Sequence, residues 1–311
     1  MKIGMIFPGY GHQIIGQGKE LYEQFRSIQD IIEEAGQCLS VDFYKICFVI
    51  SEQERQKPHN AFPFLCTWQY ALFTLLEQEG IKPQLLAGHD IGLYSALCSA
   101  RSITFPDILY LGTKLATWYG DVETKRHIKA LRVEGISERI INKICKEVTT
   151  TTSQACIAIS ETPDVFFVIG DAESIVFLEE RVRAEHAQRK EVETELYGLP
   201  LVCVAHETEQ FTQYLAKIDC KNPMVPLLSY TGKEITTGRQ VRTLLTGQLL
   251  HSLQWHKMMM QLVSYPVNII VGYAPAWHKQ LLHYYPERQW LMFSHLADLE
   301  EIKNALKKYE M

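Results

Sequence analysis

A short turn between two glycines carries the residues best placed to do chemistry. Residues 88–92 read GHDIG, after an apolar run at 85–87 and before a helical pattern at 94–100. With serine at its centre, this strand, turn and helix would form a nucleophile elbow, which lifts the central side chain above the sheet. Here the centre is Asp90, and the backbone N–H of Ile91 is placed to form half of an oxyanion hole. The spacing therefore predicts a carboxylate at the tip of a sharp turn.

The elements that must position this turn alternate between strand and helix. Short apolar runs predict buried strands at 2–7, 85–87, 201–205, 226–230 and 267–271. Helical patterns follow at 19–38, 63–79 and 239–263, with a final helix after the turn at 272–275. This alternation predicts an α/β fold with a mainly parallel sheet.

A second unit interrupts the alternation. Residues 128–193 read as strand, helix (137–147), strand (155–159), strand (165–169), helix (172–186) and a final edge strand. This β-α-β-β-α-β order is typical of a ferredoxin-like subdomain. We therefore predict an α/β-hydrolase-like large domain at 1–126 and 196–311, with a ferredoxin-like subdomain inserted at 127–195.

Composition narrows the classes of function. The net charge of -5 gives no reason to expect a nucleic-acid or membrane partner. No uninterrupted apolar stretch approaches the roughly 20 residues that span a bilayer, so a cytoplasmic protein is expected. The eight cysteines include no CxxC pair, and no HExxH pattern is present, so we expect reduced thiols and no metal site.

The wider sequence around the turn identifies a family. Residues 88–97, GHDIGLYSAL, resemble the signature GHSLGEYSAL of the malonyl-CoA:acyl carrier protein transacylases. FPGYGHQ at 7–13 and GQGKELY at 16–22 are similar to that family's N-terminal FPGQGSQ and GMGKELY. Later landmarks follow in the family's order: LVCVAH at 201–206, PLLSYTG at 226–232, QW at 254–255 and GYAP at 272–275.

The resemblance implies an activity and its ligands. In this family a histidine takes the proton of a serine, which attacks a malonyl-CoA thioester, and the acyl-enzyme passes its acyl group to the phosphopantetheine thiol of an acyl carrier protein. His206 matches the catalytic histidine. The resemblance implies acyl-CoA and acyl carrier protein as partners in fatty-acid or polyketide biosynthesis. It implies no tightly bound cofactor, because the CoA or phosphopantetheine thioester is the substrate.

Several positions depart from the family pattern. Asp90 replaces the nucleophilic serine, and Tyr10 replaces the glutamine whose N–H completes the oxyanion hole. The arginine that holds the malonyl carboxylate falls on Leu115 or, with a one-residue gap, on Lys114; lysine lacks the planar fork of arginine. Further departures are Phe62 in the Gln-Pro-Ala segment, His12, Leu93 and Glu207. Ordinary malonyl transfer is therefore not expected.

Three roles for Asp90 remain open. As a nucleophile it would form a mixed anhydride that water destroys, which favours hydrolysis over transfer. Asp90 and His206 could instead polarise a water, with the N–H groups of Tyr10 and Ile91 receiving the oxyanion. In the third hypothesis Asp90 pairs with protonated His206 in a silent homologue, which binds a carrier protein or an active acyltransferase.

The residues of the predicted substrate pocket have alternatives of their own. We place Phe62, His89, Lys114, Leu115 and Glu207 there. His89 also suits plain packing beside the turn, and Lys114 also suits a solvated helix face. Aromatic side chains at positions 10 and 62 could line a pocket for a bulkier, uncharged acyl chain or fill the old malonyl pocket.

Overall fold

A mainly parallel six-stranded sheet forms the centre of the large domain. The computed structural model describes residues 2–10, 18–126, 128–150, 154–185, 188–192 and 209–308. The strands of this sheet are β1 (Ile3–Phe7), β2 (Leu85–Gly88), β7 (Leu227–Leu228), β8 (Glu234–Ile235), β10 (Val267–Val271) and β11 (Gln289–Phe293). Their order is β11-β10-β1-β2-β7-β8, and only β8 runs antiparallel to its neighbour. Every residue of β1 and β10 is buried, as expected for parallel strands covered on both faces.

Helices cover this sheet. Those before the inserted subdomain are α1 (Lys19–Gln24), α2 (Arg26–Leu39), α3 (Phe43–Phe48), α4 (Glu52–Gln56), α5 (Pro58–Gln78), α6 (Gly92–Ser99) and α7 (Phe105–Arg126). Those after it are α10 (Glu209–Leu215), α11 (Gly238–Gly247), α12 (Trp255–Leu262), α13 (Pro275–Tyr284) and α14 (Leu296–Lys307). The largely buried α5 packs against α2, α6 and α7. Because α6 follows β2 directly, this packing fixes the turn between them.

The inserted unit has its own sheet. Its elements are β3 (Lys129–Glu134), α8 (Glu138–Val148), β4 (Ala155–Thr162), β5 (Val165–Gly170), α9 (Ala172–Ala184) and β6 (Gln188–Val192). The sheet order is β6-β3-β5-β4, all antiparallel, and β9 (Leu253–Gln254) of the large domain adds to β4 in parallel. The predicted fold class, an α/β domain with a ferredoxin-like insert, is confirmed. The exact domain boundaries remain a prediction.

Two of the predicted helices are each divided in the structure. The helix expected at 239–263 is divided into α11, β9 and α12, because Leu253 and Gln254 pair with β4. The N–H of Gln254 also donates to the carbonyl of Tyr230 at 2.8 Å. The helix expected at 19–38 breaks at Phe25, whose backbone is extended (φ -114°, ψ 115°). The elements that were not predicted include α3, α4, α10, β8, β11 and α14.

Candidate active site

Asp90 lies at the tip of the turn between β2 and α6, as the sequence predicts. Its φ of 50° is in the left-handed region, which Asp tolerates better than most non-glycine residues. The carbonyl of His89 accepts from the N–H of Gly92 at 2.8 Å, and the carbonyl of Asp90 accepts from Leu93 at 3.0 Å. These bonds reverse the chain within a few residues and begin α6.

The glycines on either side of Asp90 are required by close backbone approach. A Cβ on Gly92 would lie 2.1 Å from the carbonyl oxygen of Phe7, at the end of β1. A Cβ on Gly88 would lie 2.3 Å from the backbone nitrogen of Leu93. Neither contact is sterically possible, so the GxDxG spacing follows from how tightly the turn packs against the sheet.

The Asp90 carboxylate lies in a largely desolvated environment. The residue as a whole is partly exposed, but its Oδ2 is buried and has no hydrogen-bond partner among the described residues. Burial raises the pKa of Asp90 to about 6, although hydrogen bonds from the backbone N–H groups of Ile91 and Tyr10 lower it. A carboxylate with a pKa near neutrality suits general-base chemistry.

The two N–H groups beside Asp90 are those predicted to hold an oxyanion. Both donate to the Asp90 carboxylate itself. Aspartate places its oxygens one atom farther from the backbone than serine places its hydroxyl, so they can reach these donors. A substrate carbonyl oxygen would have to displace the carboxylate to use them.

A small cavity adjoins Asp90. Its free volume is about 30 Å³, close to the space that one water molecule occupies. The lining residues are Gly88, Asp90, Leu93, Leu115, Tyr119, Tyr230, Gln248, Leu249, His251 and Leu253. No lysine or arginine of the described chain is among them. The side-chain amide of Gln248 also contacts the hydroxyl of the buried Tyr94.

Helix α7 was predicted to carry the cation that holds a malonyl carboxylate, but the side chain that it places at the cavity is aliphatic. Leu115 lines the cavity, whereas the ammonium of Lys114 lies 5.6 Å and 5.2 Å from the ring centroids of Tyr110 and Tyr214. Adjacent residues of an α-helix point about 100° apart, so the two side chains leave α7 in different directions. Lys114 contacts two tyrosine rings and does not line this cavity, so its place in the substrate pocket stays a prediction that these contacts do not support.

Tyr10 and Phe62 lie behind the cavity wall. The Tyr10 hydroxyl donates to the backbone carbonyl of Gln56 at 2.5 Å, and its ring meets Phe62 at 5.9 Å. Phe62 is fully buried and meets Tyr119 edge-on at 5.8 Å. Of these three rings, only that of Tyr119 lines the cavity. Of the two alternatives for positions 10 and 62, this geometry supports aromatic side chains that fill the old malonyl pocket.

His89 is held between two tryptophans. Its ring centroid lies 4.9 Å from that of Trp255 and 4.6 Å from that of Trp277, both in edge-to-face arrangements. Such pairs stabilise a fixed ring position beyond simple burial. This geometry supports packing beside the turn over substrate contact, and His89 does not line the cavity.

Several predicted residues lie outside the described part of the chain. These are His206, Glu207, His12 and the strand expected at 201–205. The contact between Asp90 and His206 therefore remains a prediction. Within the described part, no cluster of His, Cys, Asp or Glu is arranged to hold a metal ion. Of the helices that the structure describes, none has the length and apolarity needed to cross a bilayer.

Sequence reasoning missed most of the cavity wall. Tyr119 could have been found, because it lies four residues after Leu115 and so on the same face of α7. Gln248 and His251 were hidden within a segment predicted as continuous helix. Trp277 gave no local signal, because its contact with His89 joins residues 188 positions apart.

Comparison with known proteins agrees with this architecture. The acyl transferase domain family matches residues 5–243. The chain is 25% identical over 277 residues to the malonyl CoA-acyl carrier protein transacylase of Bacillus subtilis (strain 168), covering 88% of this chain and 87% of that protein. It is 23% identical over 283 residues to the transacylase of the same name from Escherichia coli (strain K12), covering 88% and 89%.

Solved structures show the same fold. An acyl carrier protein S-malonyltransferase from Vibrio cholerae superposes with a TM-score of 0.90 at 18% identity, covering 97% of this chain and 100% of that one. A malonyl-transacylase in complex with its type II PKS acyl-carrier protein gives a TM-score of 0.86 at 20% identity, covering 96% and 98%.

Proposed function

Because this chain belongs to the acyl transferase domain family, we propose that it acts on acyl thioesters carried by CoA or by acyl carrier protein. The relatives are named as malonyl CoA-acyl carrier protein transacylases, and one related structure is a complex with an acyl-carrier protein. The proposed reaction differs from theirs: hydrolysis of an uncharged acyl thioester, with Asp90 as the general base. The proposed setting is fatty-acid or polyketide biosynthesis.

One observation carries the proposal of hydrolysis. The Oδ2 of Asp90 is buried without a partner among the described residues, and Asp90 lines a small cavity. In the proposed step Asp90 takes a proton from a water molecule that enters with the substrate, as the water oxygen attacks the thioester carbonyl. The C–S bond then breaks, and the proton passes to the departing thiolate. The products are a carboxylic acid and free CoA or carrier thiol.

The cavity wall supports an uncharged acyl group. A malonyl carboxylate there would be desolvated beside Leu93 and Leu115 with no lysine or arginine of the described residues to pair with, and it would lie near the Asp90 carboxylate. Burying an unpaired charge in this way is strongly unfavourable. Malonyl transfer of the family's ordinary kind is therefore not proposed.

A second candidate function has its own support. The N–H groups of Ile91 and Tyr10 are already engaged by the Asp90 carboxylate, as they would be in a site that no longer binds an oxyanion. In this candidate the chain is a silent homologue that docks a carrier protein or an active acyltransferase. Asp90 then satisfies buried donors and pairs with His206.

A single panel of assays separates the candidates. Acetyl-, butyryl- and malonyl-CoA and the matching acylated carrier proteins are presented to wild type and to Asp90→Ala, Asp90→Asn and His206→Ala. Release of free thiol by wild type, lost in all three variants, supports the hydrolase. Carrier-protein binding without any thiol release supports the silent homologue.

Two further readouts test the chemistry. Mass spectrometry of the intact protein during turnover detects a mixed anhydride on Asp90, which would replace the general-base route by a nucleophilic one. Asp90→Ser reintroduces a hydroxyl at the elbow. Stable acyl-enzyme formation by this variant with malonyl-CoA would show that the pocket still accepts a charged acyl group.

A further inference from the structure

The large side chain of Tyr119 reduces the free space beside Asp90. Tyr119, on α7, lines the cavity and is only 2% exposed. The remaining free space, about 30 Å³, has room for a methyl group or a water molecule. A longer chain extending from a carbonyl at Asp90 would meet the Tyr119 ring or one of its neighbours.

Other rings hold Tyr119 in place. Phe62 packs against it at 5.8 Å with an interplanar angle of 89°, and Trp118 packs at 5.3 Å with an angle of 72°. Phe62 is in turn covered by Tyr10 at 5.9 Å. Aromatic pairs of this geometry favour one fixed arrangement, and a densely packed interior leaves little room for the ring to withdraw.

We propose that Tyr119 limits the length of the acyl group, so that the site binds acetyl-sized, uncharged acyl groups and excludes longer chains. This inference rests on the proposed function only in placing the thioester carbonyl at Asp90. It concerns binding and does not require that the bound thioester be hydrolysed. Tyr119 acts here through the shape of its ring, not through its hydroxyl.

Binding of inert analogues tests this limit separately from turnover. The probes are acyl-pantetheine ketones, in which a CH₂ group replaces the thioester sulfur, with acyl chains of two, four and eight carbons. We expect wild type to bind the two-carbon probe about tenfold or more tighter than the eight-carbon probe. Tyr119→Ala and Tyr119→Leu should remove most of this difference, whereas Tyr119→Phe should keep it because the ring remains.

Tyr110→Ala is the matched control. It removes a partly buried ring of the same helix that packs against Tyr214 at 6.0 Å and does not line the cavity, so the preference for the short probe should survive. Circular dichroism of each variant confirms folding, and Tyr119→Leu serves if the alanine variant unfolds. A wild type that binds all chain lengths equally, or binds none, refutes the length limit. So does a folded Tyr119→Leu that keeps the wild-type preference.

The two proposals can fail separately. A preference for the short probe without release of thiol from acetyl-CoA would leave the length limit standing and refute the hydrolase. Hydrolysis of acetyl- and octanoyl-CoA at similar rates, with no preference among the probes, would support the hydrolase and refute the length limit.

Discussion

Replacing Asp90 by asparagine should stabilise the protein at neutral and alkaline pH. Asparagine has nearly the same shape and tolerates the left-handed backbone at φ 50° at least as well. Its side-chain oxygen can still accept from the N–H groups of Ile91 and Tyr10. The substitution therefore removes the buried charge with little change in strain or packing.

The size of the effect follows from the pKa of Asp90. Burial raises it from 3.8 to about 6, so the folded state holds the proton more tightly than the unfolded chain does. The resulting cost of ionisation is absent below pH 4, grows as the pH rises to 6 and is constant above it. The difference between a pKa of 3.8 and one of about 6 corresponds to about 3 kcal/mol at pH 8. Because the residue is partly exposed, we take this as an upper limit and expect a gain of about 1–3 kcal/mol.

Urea unfolding at several pH values measures this gain. Wild type and Asp90→Asn are compared at pH 5, 6.5 and 8, where the stability difference should increase and then level off. Asp121→Asn, at an exposed position of α7, is the control and should show no such increase. The reasoning is refuted if Asp90→Asn is less stable than wild type at pH 8. That outcome would mean that a cation compensates the carboxylate, and His206 is the predicted one.

Three further outcomes follow from the geometry of the site. Gly92→Ala should destabilise the fold by about 3 kcal/mol in urea unfolding, because the added Cβ would lie 2.1 Å from a β1 carbonyl oxygen. Gly120→Ala is the control: the added Cβ has open space, and stability should change by less than about 1 kcal/mol. Lys114→Gln should leave the rate of acetyl-CoA hydrolysis within about twofold, since its ammonium contacts two tyrosine rings instead of the cavity. If Asp90 is the general base, kcat/KM for hydrolysis should rise with pH through about 6 and then level off; a rate that falls over this range would contradict that role.

The sequence predicts those parts of the site that depend on local geometry. The turn around Asp90 needs glycines at positions 88 and 92 because of contacts within a few residues and with the adjoining strand. The alternation of strand and helix can also be predicted locally, because the apolar content of each segment indicates how deeply that segment is buried. Both features can therefore be recognised from the order of the residues alone.

The parts that escaped prediction depend on distant contacts. The division of the 239–263 helix follows from pairing with β4, nearly one hundred residues earlier in the chain. Whether Leu115 or Lys114 faces the cavity depends on the rotation of α7 about its axis, which a one-residue gap in the resemblance left open. Trp277 contacts His89 only because α13 folds back over the elbow. A local pattern contains none of this information.

Hydrolysis needs a charged base and free N–H donors for the oxyanion, and a carboxylate at the elbow makes these two requirements conflict. Above pH 6 Asp90 is charged and can accept a proton from water, but the same charge holds the N–H groups of Ile91 and Tyr10 most strongly. Below pH 6 the neutral carboxyl holds these donors less strongly and loses its function as a base. A substrate oxyanion must therefore compete with the base for the donors that stabilise it. Shortening the side chain by Asp90→Ser frees both donors, so this variant should bind the two-carbon ketone probe more tightly than wild type. Weaker binding by a folded Asp90→Ser would mean that the donors do not serve a bound carbonyl at all.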